Sequence, residues 1–119
     1  MGTPYTPTIS GAFTPIGNTV TFLANTAAPT PVQVVQGLAN GISFCQYRVF
    51  NSGASLAFLG FAANAASANT NAAVVSTTAN SMPILPGSLE VISLPTNSYF
   101  TAITGSGTSQ IYITPGVGI

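Results

Sequence analysis

The sequence predicts an all-β protein: a small antiparallel β-sandwich that is jelly-roll-like and carries an extended N-terminal arm. The first observation is a series of about seven or eight short apolar runs, separated by turn signals at intervals of about ten residues. The second is the alternation of residue types in the run that ends at Asn51, which is the spacing of a strand. The third is the lack of a repeat of fixed period, which argues against a β-solenoid. The same strands could also form a closed β-barrel.

Residues 43–61 are the stretch around which the chain is organised. Two apolar runs are joined here by Asn51, Ser52 and Gly53, which suit a hairpin loop because Asn and Gly tolerate positive φ. We predict that the two runs form the central hairpin. The second run, residues 56–61, is apolar at nearly every position, which predicts cover on both faces. One face of the first run carries Cys45, Tyr47 and Val49, and the other carries Phe44, Gln46, Arg48 and Phe50.

Residues 1–19 are typical of an extended arm that precedes a single β-sandwich domain over residues 20–119. The arm is rich in Thr, Pro and Gly, and its prolines block a helix and remove donors from a β-ladder. Tyr5, Phe13 and Ile16 are the apolar side chains through which we expect it to dock. The arm lies over its own domain, reaches a neighbouring subunit or stays loose, and the sequence leaves these three options open.

The remaining elements follow from the same signals. Residues 62–73 interleave Ala with Asn, Ser and Thr and hold no large apolar side chain, which favours a long surface loop, with or without a short helical turn. Pro86 and Gly87 suit a type II turn. Residues 115–119 are too glycine-rich to pair well. Further strands are predicted over residues 20–24, 32–35, 89–94, 99–104 and 109–114, with a weaker one over 74–77; the last two strong ones form a second hairpin across 105–107.

Charge is nearly absent from the chain. The 119 residues include one cation, Arg48, and one anion, Glu90, with no His. Charged residues make up 2% of the chain, whereas about a quarter is usual for soluble domains. Such a surface carries little repulsion between copies, so we expect a homo-oligomer. Either Arg48 and Glu90 meet as an ion pair, within one subunit or across an interface, or each points into solvent.

Composition excludes several classes of function. General acid–base and nucleophilic catalysis need His, Lys or paired carboxylates, so we expect no enzymatic activity, no catalytic residues and no small-molecule substrate. Cys45 and Glu90 are too few for a metal site, and no glycine-rich triplet is followed by Lys, so we expect neither metal nor cofactor. One arginine cannot neutralise a run of phosphates, which excludes nucleic acid. The apolar runs are much shorter than the ~18–20 residues of a membrane span, and the N-terminus lacks a secretory signal.

Aromatic side chains mark the predicted core. Most of them fall in predicted strands and are expected to pack between the sheets, together with the single cysteine, Cys45. Tyr5, Phe13 and Phe22 lie in or near the arm, where an exposed aromatic would be a docking anchor. The strand aromatics are Phe44, Tyr47, Phe50, Phe58, Phe61, Tyr99, Phe100 and Tyr112.

Several stretches carry a resemblance to a known family. They are residues 47–53 (YRVFNSG) followed by 58–61 (FLGF), residues 84–91 (ILPGSLEV) and the ending at 111–118 (IYITPGVG), with an Ala/Thr-rich loop between the first and second groups. In this order, from Tyr47 to the C-terminus, the chain resembles the small decoration or cement proteins of tailed bacteriophage capsids.

The resemblance implies a virion structural protein. It implies a β-sandwich that binds the outer surface of an assembled capsid, bridges neighbouring capsomers and stabilises the particle. The implied partner is the major capsid protein, and the implied location is the capsid exterior after synthesis in the host cytoplasm. Because many copies bind a symmetric lattice, a weak single contact suffices.

Three other functions fit parts of the sequence. The main alternative is a receptor- or glycan-binding β module of a virion fibre or cell surface, with loops such as residues 62–73 contacting sugar. An ice- or surface-adsorbing protein would need regularly spaced Thr residues, which the chain lacks. A major shell-forming subunit would be unusually small at 119 residues.

Overall fold

The fold is an antiparallel β-sandwich with one short helix. The computed structural model describes residues 13–35, 44–74 and 80–118. These residues form nine strands and one helix. The elements are β1 (Phe13–Pro15), β2 (Val20–Ala24), β3 (Val32–Gln33), β4 (Phe44–Asn51), β5 (Ala57–Ala62), α1 (Ala65–Asn71), β6 (Met82–Ile84), β7 (Leu89–Pro95), β8 (Tyr99–Thr104) and β9 (Ser109–Gly118).

Two sheets face each other. The first has the order β1-β9-β4-β7, and β2 pairs with β9 along the same edge as β1. The second has the order β3-β8-β5-β6. Every pair of neighbouring strands is antiparallel. The chain changes sheet at most connections, and among the described strands β5 and β6 are the one consecutive pair that hydrogen-bond to each other.

Both predicted hairpins are wrong. β4 pairs with β7 and β9, whereas β5 pairs with β6 and β8, so the two central runs lie in opposite sheets. β8 and β9 are divided between the sheets in the same way. The physical reason is the burial of apolar side chains. When two consecutive strands lie in opposite sheets, their apolar inner faces pack against each other and are removed from water. Both turn segments therefore cross from one sheet to the other.

The core lies between the sheets. Tyr47 and Phe100 come from opposite sheets, are fully buried, and meet edge to face with ring centroids 4.9 Å apart. The prediction that Cys45 is a buried apolar residue is confirmed. The other buried apolar side chains of this cluster are Phe22, Ala24, Val34, Val49, Ala57, Leu59, Ile84, Ala102, Ile111 and Ile113.

The prediction that the strand aromatics form the core is wrong for Phe44, Phe50 and Tyr112. These side chains lie on the outer surface of the first sheet, because alternation along an antiparallel strand sends every second side chain there. Phe44 and Tyr112 are exposed, and Phe50 is half-buried. The other strand aromatics are buried or half-buried: Tyr47, Phe58, Phe61, Tyr99 and Phe100.

Helix α1 lies within residues 62–73, where the sequence favours a surface loop. The side chain of Asn64 caps it by accepting a hydrogen bond from the Ser67 N–H at 2.8 Å. Small residues let α1 lie directly on β5, since a Cβ at Gly60 would fall within 3.0 Å of backbone atoms of Ala68 and Ala72. Contact with the sheet thus stabilises a segment of weak intrinsic helix preference. The prediction that this second apolar run is covered on both faces is confirmed, since Ala57, Phe58, Leu59 and Gly60 are all buried.

The C-terminal stretch pairs along its described length, so the prediction that residues 115–119 pair poorly is wrong for residues 115–118. Gly116 lies opposite Gln46 of β4 on one side and Pro15 of β1 on the other. A Cβ at Gly116 would fall within 3.0 Å of the Thr14 carbonyl oxygen and the Phe13 ring. Glycine therefore permits the close approach of β1.

Three smaller predictions have separate outcomes. The turn at Pro86 and Gly87 is confirmed, with φ of 74° at Gly87 and the Ser88 N–H donating to the Leu85 carbonyl over 3.0 Å. The strand predicted over residues 32–35 is shortened to β3. Of the weak strand predicted over 74–77, Val74 is exposed and outside any strand, and residues 75–77 lie outside the described ranges.

Within residues 13–35, 44–74 and 80–118 the chain has no helix with the length and apolar character of a membrane span.

Candidate functional site

The two sheets differ in what covers their outer surfaces. α1 packs against β5 and β8 on the second sheet. In the described part of the chain no helix packs on the first sheet, and the outward side chains of this sheet are exposed or half-buried. This bare surface of the first sheet is the candidate functional site.

The outward side chains of the first sheet form ordered rows. The strand register places Tyr112, Phe50 and Leu89 in one row across β9, β4 and β7. The next row contains Thr114, Arg48 and Val91. The Phe50 and Tyr112 rings are stacked with centroids 6.5 Å apart and planes 29° apart. We call the set Leu23, Phe44, Arg48, Phe50, Leu89, Val91 and Tyr112 the outer face.

The outer face exposes large apolar side chains. Singly exposed apolar residues are ordinary, but a contiguous exposed patch marks an interaction surface. Leu89 and Val91 (47% exposed each) and Tyr112 (40%) lie in two adjacent rows. The row of Gln46 and Ser93 separates them from Phe44 (58%), and Leu23 (47%) lies opposite Gln110. The face is therefore suited to protein–protein contact.

Arg48 is the one cation of the chain and lies within the outer face. Its guanidinium carbon is 4.7 Å from the centroid of the Phe13 ring, a cation–π contact with β1. Because the Arg48 side chain is exposed, its N–H groups can also donate to a partner molecule.

The register separates Arg48 from Glu90. Glu90 lies opposite Val49, whose side chain points into the core, so Glu90 projects from the inner side of the sheet near the start of β7. Arg48 projects from the outer side. The sheet thus lies between the two side chains of one molecule, and an ion pair between copies stays a prediction.

The structure describes two of the three predicted docking residues of the arm, Phe13 and Ile16. Tyr5 lies outside the described residues. Phe13 is half-buried in β1 under Arg48, and the Ile16 N–H donates to the Pro115 carbonyl at 2.8 Å. Of the three options for the arm, residues 13–16 take the first, because they lie along β9 of their own domain.

Tyr47 is a buried titratable residue whose hydroxyl makes two hydrogen bonds. Its hydroxyl donates to the Pro95 carbonyl at 2.7 Å and accepts from the Ser98 N–H at 3.3 Å. Burial raises the pKa of Tyr47 to about 12, and the adjacent Cys45 thiol adds to the rise. Burial also raises the pKa of Cys45, so both groups stay protonated at neutral pH. Through its two hydrogen bonds, Tyr47 holds the turn after β7.

Asn51 organises the connection after β4 in a similar way. It is buried, and its Nδ2 donates to the Ser55 and Ile84 carbonyls at 2.9 Å each. Its Oδ1 accepts from the Gly53 N–H at 3.0 Å. Both polar atoms of the amide have partners within the chain, so the group is structural.

A shallow cleft lies between α1 and the segment before β3. Its volume is about 340 Å³, and Ala28, Pro29, Thr30, Pro31, Ala65, Ala66 and Asn69 line it. The lining offers no aromatic ring and no charge. Within the described residues no group of three or more His, Cys, Asp or Glu side chains could hold a metal ion.

Comparison with known proteins gives no assignment. No family model, no curated protein and no solved structure matches the chain.

Sequence reasoning did not identify the outer face as a site. The alternation in β4 already separates Phe44, Arg48 and Phe50 from the buried side chains. That pattern alone does not show whether a helix covers the second set of side chains. The strand order and the position of α1 decide this, and neither has a short-range signal.

Proposed function

We propose that this chain is a virion structural protein with a jelly-roll fold, which binds the outer surface of an assembled capsid and stabilises it by bridging capsomers. The outer face is the observation that carries the proposal. It combines exposed aliphatic and aromatic side chains with a single cation. Aromatic residues and arginine are enriched where proteins bind one another, because they supply contact area and directed hydrogen bonds.

The strand order supports the jelly roll. The orders β2-β9-β4-β7 and β3-β8-β5-β6, with frequent changes of sheet, are those expected of two interleaved Greek keys. Jelly rolls occur in viral capsid domains and in lectins. The fold therefore suits both the proposed function and its main competitor.

The proposed mechanism is binding by surface complementarity without catalysis. With two charged side chains in the whole chain, contact must rest mainly on apolar packing and hydrogen bonds. The major capsid protein is the proposed partner, met on the capsid exterior after synthesis in the host cytoplasm. Attachment at several symmetric positions raises the effective affinity without any new contact. The N-terminal arm predicted over residues 1–19, with Tyr5 as a docking residue, is the proposed second contact, either along the capsid protein or as a strand added to it.

The test is binding of the purified chain to undecorated shells assembled from the major capsid protein of the same virus. Tyr112→Glu places a charge in the middle of the outer face, where a docked partner would have to desolvate it. Asn69→Glu places the same charge on α1, on the other side of the sandwich, and is the matched control.

We expect wild-type and Asn69→Glu chains to saturate the shells and Tyr112→Glu to bind at least about tenfold more weakly, since about 1.4 kcal/mol of lost contact has that effect. No binding of the wild-type chain, or equal binding of both variants, would contradict the proposal. Circular dichroism and thermal unfolding confirm that both variants are folded.

A receptor- or glycan-binding module remains the second candidate. The exposed ring of Tyr112 in the outer face favours it, because sugars stack on aromatic rings. The cleft beside α1 does not favour it, since the lining lacks an aromatic ring. A glycan array and a cell-adsorption assay distinguish this candidate from shell binding.

A further inference from the structure

We propose that two copies of this chain associate through β7, which pairs with β7 of the second copy in antiparallel fashion about a two-fold axis at Val91. The partner is a second copy of the same chain, and the interface is an edge-to-edge extension of the first sheet. This inference goes beyond the proposed function, because the association requires no shell.

β7 differs from the other sheet edges in length and in protection. On the second sheet, β3 has two residues and β6 has three, with Pro83 at its centre. Short strands and proline are common means of protecting an edge from pairing. On the first sheet, the edge formed by β2 continues into Asn25, which bridges to Ile103 and accepts from the Thr104 N–H at 2.9 Å. β7 has seven residues, and among the described strands it pairs with β4 alone.

The backbone groups of β7 that face away from β4 can be assigned. Asn51 donates to the Ser88 carbonyl and accepts from the Gly87 N–H, which makes Asn51 a hydrogen-bonded position of the ladder. Alternation then makes Val49 and Glu90 the next hydrogen-bonded pair. The N–H and C=O groups of Leu89, Val91 and Ser93 therefore point away from β4, at the outer edge of the sheet formed by the described strands.

The sequence of β7 lacks protection at these positions. Its one charged residue is Glu90, it contains no Lys, and proline appears only at its last residue, Pro95. Lysine on an edge strand and proline within it are the usual obstacles to pairing. Among the described residues, no strand pairs with residues 89–93 on the side away from β4, and we propose that a second strand pairs there.

Charge and proline select the register of the two-fold pairing. An axis at Glu90 would place the two carboxylates opposite each other, which is unfavourable. An axis at Ile92 would draw Pro95 into the paired segment, where it has no N–H to donate. An axis at Val91 sets Glu90 opposite Ile92 of the second copy and leaves Pro95 outside. Leu89 then lies opposite Ser93, and both donate and accept backbone hydrogen bonds.

Pairing at this register joins the outer faces of two copies. Val91 meets Val91 of the second copy across the axis, and each Leu89 lies beside it on the same side of the sheet. The two apolar surfaces become one continuous surface. A dimer would therefore present twice the contact area of one chain to any partner.

Disulfide trapping in the isolated chain tests both the contact and its register. Residues directly opposite in a hydrogen-bonded antiparallel pair have Cα atoms about 5.5 Å apart, within the range that a disulfide spans. Val91→Cys should therefore cross-link two copies under mild oxidation. Ser93→Cys is the matched control on the same strand, because its two copies would lie about 14 Å apart, four residues along the strand. The native Cys45 is buried and does not compete.

We expect light scattering to give twice the 12.0 kDa chain mass for the wild type, covalent dimer for Val91→Cys and none for Ser93→Cys. Mixing Leu89→Cys with Ser93→Cys should restore cross-linking between the two variants. Val91→Lys places two ammonium groups on the axis and should give monomer with an unchanged circular dichroism spectrum. A monomeric wild type, or a dimer that cross-links equally at both positions or at neither, would overturn the inference. None of these outcomes depends on shell binding, so the two proposals fail separately.

Discussion

The guanidinium carbon of Arg48 lies 4.7 Å from the centroid of the Phe13 ring, so the one cation of the chain contacts the first described strand. β1 has only three residues, and its other contacts are backbone pairing with the end of β9. This side-chain contact therefore helps to hold β1 on the sheet and fixes the Arg48 side chain within the outer face. The N-terminal segment and the candidate site are physically connected through it.

A double-mutant cycle on Arg48 and Phe13 should detect this contact. We expect Arg48→Met and Phe13→Leu to show a coupling free energy of about 0.5–1 kcal/mol in urea unfolding, the usual range of an exposed cation–π contact. The same cycle with Arg48→Met and Glu90→Gln should be additive, because the sheet separates the two side chains. Coupling to Glu90 in a monomeric sample would contradict the separation of the two side chains by the sheet.

Gly60 should not tolerate a side chain. A Cβ there would overlap backbone atoms of Ala68 and Ala72, which cannot move without displacing α1. We expect Gly60→Ala to lower the free energy of unfolding by about 1–3 kcal/mol, as overpacking usually does. Gly105→Ala is the control, because a Cβ there meets nothing within 4 Å. Equal urea midpoints for the two variants would show that α1 does not pack on β5 as described.

Removal of the Tyr47 hydroxyl should destabilise the turn after β7. Tyr47→Phe leaves the buried Ser98 N–H without its acceptor, whereas the Pro95 carbonyl loses one donor and keeps the Ser98 hydroxyl as the other. A cost of about 1–3 kcal/mol is expected for a buried group left unsatisfied. Chemical denaturation at neutral pH measures it, and a cost near zero would mean that water replaces the hydroxyl.

The same residue should make stability fall at alkaline pH. The folded state raises the pKa of Tyr47 from 10.0 to about 12, so the unfolded chain loses this proton first as the pH rises. The stability contributed by the protonated phenol is complete below about pH 10 and is lost progressively toward about pH 12. The raised pKa of Cys45 acts in the same direction from pH 9.0 upward. Tyr47→Phe should reduce the alkaline slope of the unfolding free energy, and an unchanged slope would argue against this assignment.

Asn51 should be required for the connection between the sheets. Asn51→Ala removes two donated hydrogen bonds and one accepted bond, and it leaves the buried Ile84 carbonyl without this partner. We expect a loss of about 1–3 kcal/mol in the free energy of unfolding. Asn69→Ala, at an exposed position of α1, should change stability by less than about 0.5 kcal/mol. Similar losses for both would contradict the structural role of Asn51.

The sequence predicts the positions of most strands because their signals are local. Turn residues and period-two alternation give β2, β4, β5, β7 and β8 nearly to the residue, and they give the start of β9 but not its last four residues. Which strands pair depends on the packing of apolar faces across the sandwich, so the hairpins predicted from Asn51–Gly53 and from residues 105–107 are wrong. The helix at Ala65–Asn71 depends on tertiary contact at Gly60, which has no signature within the segment.

The sequence alone predicts only part of the candidate site. Alternation identifies Phe44, Arg48 and Phe50 as one face of β4. Whether that face is a second core or a surface depends on where α1 packs. Tyr112 and Leu89 join the face only through the register of β4 with β9 and β7. Nonlocal pairing of this kind cannot be read from a single run of residues.

Electron microscopy of shells incubated with the chain shows whether the chain binds and which surface it uses. We expect ordered density at symmetry-related positions between capsomers, with the outer face of the first sheet turned toward the shell and α1 turned toward solvent. Density that docks through α1 and the second sheet would contradict the role of the outer face. The absence of any bound density at saturating chain concentration would contradict the proposed function itself.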